Sequence, residues 1–495
     1  IYVYLMALCF ILFLPEIRMA AVTEAKGDID GKRISPQRLQ VAQGAFLMIG
    51  FSVPWVHGDA QAAALTPAWM AGIGVGVFLL VDAIQKAMFE KNKQMMKLTH
   101  ILASAAIIST LSACNGSLQT ADRTPVDYVN PYIGNISHLL VPTFPTIQLP
   151  NSMLRVYPER ADYTSELLKG LPLIVTNHRE RSAFNFSPYQ GEKLRPVITY
   201  NYDNEHITPY SFDVELDDNR MKAEYALSHQ SAIYRITYEA DKPAYLIVNS
   251  RNGSIHANEN FISGRQQLND NTNVYVYIEA QEKPISAGIL ENGTIETSKD
   301  NAEGANACAA WRFADGTTTV NLRYGISFIS EEQAEKNLHR ELKDYNIKAL
   351  AEAGRQIWNE TLGRIQVEGG TEDDKTVFYS SFYRTFERPI CMSEDGRYFS
   401  ALDGKVHEDN STPFYTDDWI WDTYRAAHPL RTLIDQQKEE DIIASYLRMA
   451  EQMGNMWMPT FPEVTGDTRR MNSNHAVATV ADALAKGLKV DTAKA

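Results

Sequence analysis

The hydrophobic pattern of the chain changes twice along its length, and each change marks a different kind of segment. Residues 1–15, 39–58 and 60–81 are apolar and carry no Asp, Glu, Lys or Arg. The third stretch is long enough to cross a bilayer core of about 30 Å, which takes about 20 helical residues. Basic residues follow it at Lys86, Lys91, Lys93 and Lys97, and the positive-inside rule places these in the cytoplasm. The pattern predicts transmembrane segments within residues 1–95.

Residues 96–114 have the layout of an export signal. Lys97 precedes an apolar run over residues 101–111, and Leu-Ser-Ala-Cys ends the segment at Cys114. This ending resembles the bacterial lipoprotein box, in which the signal is cut before the cysteine and the thiol is lipidated. The sequence therefore predicts lipidation at Cys114; the alternative is one more buried apolar helix with an incidental cysteine.

Two membrane signals in series need an explanation. We expect residues 1–95 to be the tail of a neighbouring membrane protein joined by read-through or gene prediction, since the chain begins with Ile1. A genuine fusion is the alternative. Both place residues 115 onward outside the cytoplasm, which predicts a lipid-anchored protein of a bacterial cell envelope, in the periplasm or at the cell surface.

After the signal the pattern becomes one of short strands. Runs rich in Val, Ile, Tyr and Thr are separated by turn residues such as Asp203-Asn204, Asp217-Asp218-Asn219 and Asn252-Gly253. The runs cover residues 196–202, 232–238, 244–248, 274–279 and 319–326. Because no helical pattern intervenes, residues 125–330 are predicted to form an antiparallel β-sandwich.

At Ser330 the period becomes helical. Ser330 is the predicted N-cap, with Gln333 at the capping-box position. Residues 331–357 are predicted to be a helical linker in which Gly354 could separate two helices. From residue 358 onward the pattern is wholly helical, with helices over 375–386, 422–434, 438–454 and 474–487, and with Gly454 and Gly487 as C-caps.

Composition excludes several classes of function. The chain has 495 residues, is 22% charged and carries a net charge of −14, which argues against nucleic acid as a partner because such proteins need a basic face. Its four cysteines show no CxxC spacing and its histidines no HExxH spacing, so a zinc site is unsupported. GxSxG, Walker A and GxGxxG motifs are also missing from the sequence.

The richest candidate for chemistry is residues 414–425, FYTDDWIWDTYR. Sugars are bound by such mixtures, because aromatic faces cover the C–H face of the ring while carboxylates and arginine bind its hydroxyls. Trp419, Trp421, Asp422 and Arg425 are the candidate substrate-binding residues, and Asp422 and Arg425 would share one helical face. The alternative is a helix N-terminus whose acids complement the dipole and whose aromatic rings are core. Residues 457–475 and the Pro-rich segment 130–153 are weaker candidates with structural alternatives.

The order of several motifs resembles glycoside hydrolase family 92, the exo-acting α-mannosidases. The matching pieces are NPYIG at 130–134, TFPTIQLPNSMLRVYP at 143–158, WNETLGRIQVEGG at 358–370, KTVFYSSFYRTFERP at 375–389, WDTYRAAHPL at 421–430 and MNSNHAVATVADALAKG at 471–487. The resemblance implies a β-sandwich, a helical linker and an (α/α)6 barrel. It also implies inverting hydrolysis of mannose-containing glycans and a requirement for Ca2+.

Departures from the family pattern limit what can be carried over. Residues 135–141 and 177–191 lack the Gly- and His-rich loops of many members, so we expect the substrate to differ from theirs. The family's general acid, general base and calcium motifs lie further along the barrel than residue 495, so the catalytic residues and metal ligands stay unassigned. We therefore expect residues 358–495 to be the first part of an incomplete barrel, and the chain to be inactive alone.

Two other classes of function remain open. A non-catalytic glycan-binding surface lipoprotein would use the aromatic and acidic residues of 414–425 without hydrolysis. A helical-toroid lyase would prefer a Tyr/His pair near basic residues, and the sequence offers none with suggestive spacing.

Overall fold

The computed structural model describes residues 123–135, 143–160, 165–176, 182–217, 220–471 and 474–495, which belong to one compact unit, Ala121–Ala495. The predicted transmembrane segments of residues 1–95 and the predicted signal of residues 96–114, with Cys114, lie outside the described residues. Within the described part, no helix has both the length and the apolar character needed to cross a membrane.

Most of the strands form one antiparallel sheet. The strands are β1 (Ile147–Gln148), β2 (Arg155–Val156), β3 (Leu167–Lys169), β4 (Leu171–Pro172), β5 (Phe184–Tyr189), β6 (Thr199–Ile207), β7 (Ser211–Leu216), β8 (Met221–Leu227), β9 (Ser231–Thr237), β10 (Tyr245–Ala257), β11 (Ile262–Gln267), β12 (Asn273–Ala280), β13 (Ser286–Glu291), β14 (Thr294–Glu296), β15 (Asn301–Arg312) and β16 (Thr319–Ser327). Fourteen of them pair in the order β14-β13-β15-β10-β11-β12-β16-β9-β8-β7-β6-β3, with β5 on β10 and β4 on β5.

The sandwich core follows from the alternation along these strands. In β7, β8 and β12 buried residues alternate with less buried ones, as expected for strands with one covered face. Tyr225, Tyr234 and Tyr324 pack together in the interior. Their hydroxyls are satisfied: Tyr234 donates to the carbonyl of Pro172 at 2.8 Å, Tyr324 donates to that of Leu173 at 2.7 Å, and the Tyr225 hydroxyl lies 3.2 Å from that of Tyr324. The predicted sandwich is confirmed.

Helices dominate after Ser330. They are α1 (Glu331–Glu341), α2 (Ile347–Leu362), α3 (Glu372–Arg384), α4 (Ile420–Thr423), α5 (Ala427–Ile434), α6 (Gln436–Gln452) and α7 (His475–Ala485). Gly454 and Gly487 follow α6 and α7 with φ of 72° and 83°, the left-handed conformation that ends helices.

Two details of the predicted helical part are wrong. Short antiparallel strand pairs interrupt it: β17 (Ile390–Cys391) with β20 (Tyr415–Thr416), β18 (Arg397–Ser400) with β19 (Lys405–Glu408), and β21 (Pro462–Glu463) with β22 (Gly466–Asp467). Gly354 does not separate two helices, since it lies within α2. A Cβ there would lie 2.8 Å from Cβ of Tyr210, so the glycine permits close packing of α2 on the sandwich.

A buried carboxylate joins the sandwich, α1 and the β17–β18 segment. Glu394 accepts from the backbone N–H of Phe328 at 2.9 Å and from Nδ2 of Asn337 at 2.7 Å. Burial raises the pKa of Glu394 to about 7, although these hydrogen bonds act in the opposite direction. Glu394 therefore lies at a junction of three parts of the chain.

Replacing the α1 N-cap Ser330 with alanine is expected to lower the free energy of unfolding by about 1 kcal/mol. Its side chain accepts from the backbone N–H of Gln333 at 3.1 Å, and alanine leaves that donor without its partner. Urea denaturation followed by circular dichroism measures the change. Ser330→Asp is the matched control, because aspartate caps equally well, and a loss of the same size in both variants would contradict the capping role.

Candidate functional site

The segment 414–425 divides into a buried half and an exposed half. Asp417 and Asp418 are buried, whereas Trp421 is 38% exposed and Asp422 is exposed. The buried half follows β20, and the exposed half forms the short helix α4 and the turn after it. The acids of this segment therefore do not all face a ligand.

Asp417 is a buried anion between two arginines. Its Oδ2 lies 2.6 Å from Nη2 of Arg155, which belongs to β2, and it also pairs with Arg388. Burial raises the pKa of Asp417, but the two guanidinium groups outweigh burial and hold the pKa below its usual value. Its backbone is left-handed with φ 62°, which Asp and Asn tolerate better than most residues. Asp417 joins β2 to the helical part, and its carboxylate is already engaged in these two ion pairs.

Asp418 divides its two oxygens between different helices. Oδ1 accepts from Oγ1 of Thr423 in α4 at 2.8 Å. Oδ2 accepts from Nε2 of His428 in α5 at 2.9 Å and from the hydroxyl of Tyr446 in α6. Burial alone would raise the pKa of Asp418, but His428 and these hydrogen bonds lower it to about 2. Asp418 is therefore ionised at neutral pH.

His428 is enclosed between two carboxylates. Its Nδ1 lies 2.8 Å from Oε1 of Glu439, and its Nε2 contacts Asp418. Burial lowers the pKa of His428, but the two acids outweigh burial and raise it to about 9. At neutral pH the ring is an imidazolium that donates from both nitrogens.

Arg431 completes this buried group. Its Nη1 lies 3.9 Å from Oε2 of Glu439, and its Nη2 donates to the carbonyls of Thr385 and Arg388 at 2.8 and 2.6 Å. We refer to Asp418, His428, Arg431, Glu439 and Tyr446 as the buried network.

Trp419 is half-buried at the edge of this group. The guanidinium carbon of Arg388 lies 3.9 Å from its ring centroid, and Phe461 stacks on it at 5.5 Å with an interplanar angle of 17°. The cation–π contact and the stacking fix the plane of the indole ring.

The exposed half consists of Trp421, Asp422, Tyr424 and Arg425, with His475 of α7 beside them. The His475 ring stacks on Tyr424 at 3.9 Å and lies 5.1 Å from Trp421. Burial and the nearby charge of Asp418 raise the pKa of Asp422. The expectation that Arg425 shares a helical face with Asp422 is wrong, because α4 ends at Thr423 and Arg425 lies in the following turn.

The two weaker candidate segments have structural contacts. In the segment 130–153, the backbone N–H of Asn130 donates to Ser380, and Arg384 donates to the carbonyls of Pro131 and Phe144 at 2.8 and 2.6 Å. These contacts hold the start of the described chain on α3.

The 457–475 segment turns around a carboxylate. Asp467 accepts from the backbone N–H groups of Thr460 and Phe461 at 3.0 and 2.8 Å. These hydrogen bonds close the β21–β22 hairpin, so Asp467 has a role in the turn.

The buried acids Asp417, Asp418 and Glu439 offer no ready ligand set for calcium. Asp417, Asp418 and Glu439 are matched by Arg155, Arg388, His428 and Arg431. Across the ranges that the structure covers, no three His, Cys, Asp or Glu side chains come together in a way that could hold a metal ion. No calcium ligand is assigned among these residues.

The sequence interpretation missed the buried network and grouped Asp417 and Asp418 with the sugar-binding acids. One signal was available: His428 and Arg431 are three apart in α5 and share a helical face. Such a polar face on a core helix indicates a buried partner, although the sequence does not identify Glu439 or Asp418 as that partner.

Comparison with known proteins adds the family. The glycosyl hydrolase family 92 N-terminal domain model matches residues 128–327, and the family's catalytic domain model matches residues 333–495. A family 92 inverting mannosidase from Bacteroides thetaiotaomicron is 27% identical with a TM-score of 0.69, over 75% of this chain and 54% of that one.

Two further relatives are more limited. A family 92 α-mannosidase from the same organism is 24% identical with a TM-score of 0.68, over 75% of this chain and 56% of that one, and it supports the fold alone. An uncharacterized secreted glycosidase from Arthroderma benhamiae is 32% identical over 110 residues, or 19% of this chain and 14% of that protein. The chain spans about half the length of the solved relatives that it matches.

Proposed function

Because the chain belongs to glycosyl hydrolase family 92, we propose that it is part of an enzyme that hydrolyses α-mannosidic linkages in glycans with inversion of configuration. The observation that carries the proposal is the exposed pair of Trp421 and Asp422 on α4, within the matched catalytic domain. The relative that is 27% identical is an inverting mannosidase, which supports the same reaction here.

Each of the four candidate side chains has a suitable role in binding a mannose ring. The Trp421 indole offers a face for the C–H side of the sugar, and the Asp422 carboxylate accepts hydrogen bonds from hydroxyls. Arg425 donates at the rim, and Trp419 forms the inner edge against Arg388. These four residues are the proposed substrate contacts.

Inverting hydrolysis requires a carboxylic acid for the leaving oxygen and a carboxylate that activates water, about 6.5–9.5 Å apart. We assign neither role to a residue of this chain. The family resemblance implies Ca2+, for which the described residues provide no ligand set, so no step is assigned to it. That the chain alone releases no mannose stays a prediction.

We also propose export to a bacterial cell envelope with lipidation at Cys114. The lipoprotein box supports this location, as does the match to a secreted glycosidase. Cutting before Cys114 removes the apolar segments of residues 1–95, so in this proposal the lipid on Cys114 is the anchor.

Isothermal titration calorimetry with α-mannobiose tests the binding step. The full chain is expected to bind it, and Trp421→Ala and Asp422→Asn are expected to weaken binding at least about 10-fold, because each removes a stacking face or a charged hydrogen bond. Leu433→Ala and Asp373→Asn, which change an exposed apolar residue on α5 and an exposed acid on α3, are the matched controls.

The same samples followed by proton NMR distinguish the alternatives. Appearance of the β-anomer of mannose before the α-anomer supports inverting hydrolysis by this chain. Binding that depends on Trp421 without release supports the non-catalytic glycan-binding alternative for the chain alone. Absence of binding, or equal losses in the two control variants, would overturn the proposed site.

A further inference from the structure

The helix that carries the proposed sugar contacts is too short to hold its own orientation. Helix α4 has four residues, and the side chain of its N-cap Trp419 makes no capping hydrogen bond. A single helical turn is unfavourable in isolation because nucleation fixes several dihedral angles for one hydrogen bond. The direction of Trp421 and Asp422 must therefore be set by contacts outside α4.

One such contact reaches α4 from the buried network. Thr423, the last residue of α4, donates to Oδ1 of Asp418 at 2.8 Å. The other oxygen of Asp418 is held by His428 and Tyr446, which lie on the longer helices α5 and α6. Asp418 thus connects the four-residue helix to two helices of 8 and 17 residues.

The far side of the network is equally well anchored. Glu439 holds the second nitrogen of His428, and Arg431 is bound to the backbone of the segment that follows α3. All five side chains of the network are buried. A buried carboxylate with this many partners has one low-energy position.

We propose that Asp418 is a positioning residue for the sugar-binding face, fixing α4 through Thr423 so that Trp421 and Asp422 present themselves together to a mannose ring. The inference rests on the proposed function for its sugar, but the positioning itself can be measured without one.

The proposal has an electrostatic consequence as well. Asp418 and Arg388 are the charged groups that act on Asp422, the first raising its pKa and the second lowering it. Trp421 also contacts the ring of His475 in α7 and the guanidinium of Arg425. Removing the charge of Asp418 takes away a like charge, so Asp422 should then stay ionised to lower pH.

Three variants and one control distinguish a specific effect on the orientation of α4 from a general loss of stability. Thr423→Val keeps the shape of the side chain and removes the hydroxyl, which lies 2.8 Å from Oδ1 of Asp418 and 3.2 Å from the carbonyl oxygen of Trp419. Thr423→Ser keeps the hydroxyl and serves as the rescue. Asp418→Asn removes the charge. Glu394→Gln is the control, since it changes a buried carboxylate outside the network.

Fluorine NMR of the full chain labelled with 5-fluorotryptophan reports on Trp421 directly, with its resonance assigned by its loss in Trp421→Phe. We expect the resonance to shift or broaden in Thr423→Val and Asp418→Asn and to keep its position in Thr423→Ser and Glu394→Gln. If Asp418→Asn does not fold, the two Thr423 variants decide. An unmoved resonance in Thr423→Val, or an equal shift in Glu394→Gln, overturns the proposal.

Calorimetry with α-mannobiose supplies the second measurement. Thr423→Val is expected to bind about 10-fold more weakly than Thr423→Ser, and Asp418→Asn to lose binding at a lower pH than the wild type. A moved resonance with unchanged affinity and pH profile would overturn the role in sugar binding. If the wild type binds no sugar, the proposed function fails, and the fluorine spectra still decide whether Asp418 positions Trp421.

Discussion

Replacing Asp417 with alanine is expected to lower the free energy of unfolding by about 3–5 kcal/mol, because it leaves the buried Arg155 and the partly buried Arg388 without their counter-ion. Arg155 and Arg388 both pair with this carboxylate, and their side chains are only 5% and 14% exposed. Urea denaturation followed by circular dichroism measures the loss.

Asp417→Asn distinguishes the charge from the backbone. Asparagine tolerates the left-handed conformation at φ 62° about as well as aspartate and keeps a side-chain oxygen, so this variant removes the charge without changing the backbone preference. Asp213→Ala is the control, since that acid is 39% exposed and lies 3.7 Å from Lys222. Its expected effect is about 0.5 kcal/mol or less. Wild-type stability in Asp417→Asn would contradict the ion-pair argument.

The free energy of unfolding is expected to fall as the pH rises from 5 to 9. Two buried groups cause the fall, and each loses its proton over a different part of this pH range. The pKa of Glu394 is about 7 against 4.5 when exposed, and that of His428 is about 9 against 6.5. Both groups bind protons more tightly in the folded state. Their contributions are therefore complete below the unfolded values and are lost as the pH passes the folded ones. Each corresponds to about 3 kcal/mol.

Urea denaturation at intervals across this pH range shows whether the free energy of unfolding falls as the pH rises. For each of the two groups, one variant removes its contribution to the pH dependence. His428→Gln should flatten the decline between pH 6.5 and 9, while Glu394→Gln should flatten it between pH 4.5 and 7. Stability that rises between pH 6.5 and 9 in the wild type, or an unchanged slope in His428→Gln, would show that the imidazolium is not held as described.

The fold was predictable where local pattern and tertiary packing agree. The run over 232–238 became β9, and the cap at Ser330 opened α1. Asn252-Gly253 has the composition of a turn, yet it lies within β10, because neighbouring strands pair along its whole length. A Cβ at Gly253 would lie 1.9 Å from the carbonyl oxygen of Arg265. The glycine there permits close approach of strands, a reason that no local pattern reveals.

The candidate site was predictable only in part for a similar reason. The residue types correctly marked 414–425 as unusual. They do not distinguish the buried acids from the exposed one, because all three are aspartates. Asp418 and Asp422 differ because His428, ten residues later, meets one of them. Such a pairing depends on how α5 folds back against the preceding loop, which periodicity within either segment does not encode.

The junction at Glu394 also decides how this chain can be recombined. Its carboxylate accepts one hydrogen bond from the end of the sandwich at Phe328 and one from α1 at Asn337. In a chimera that exchanges the sandwich alone, the backbone N–H of a foreign strand end must reach the native carboxylate, so the position of that strand end decides whether the hydrogen bond forms. Chimeras should therefore take Phe328, α1 and Glu394 from the same parent.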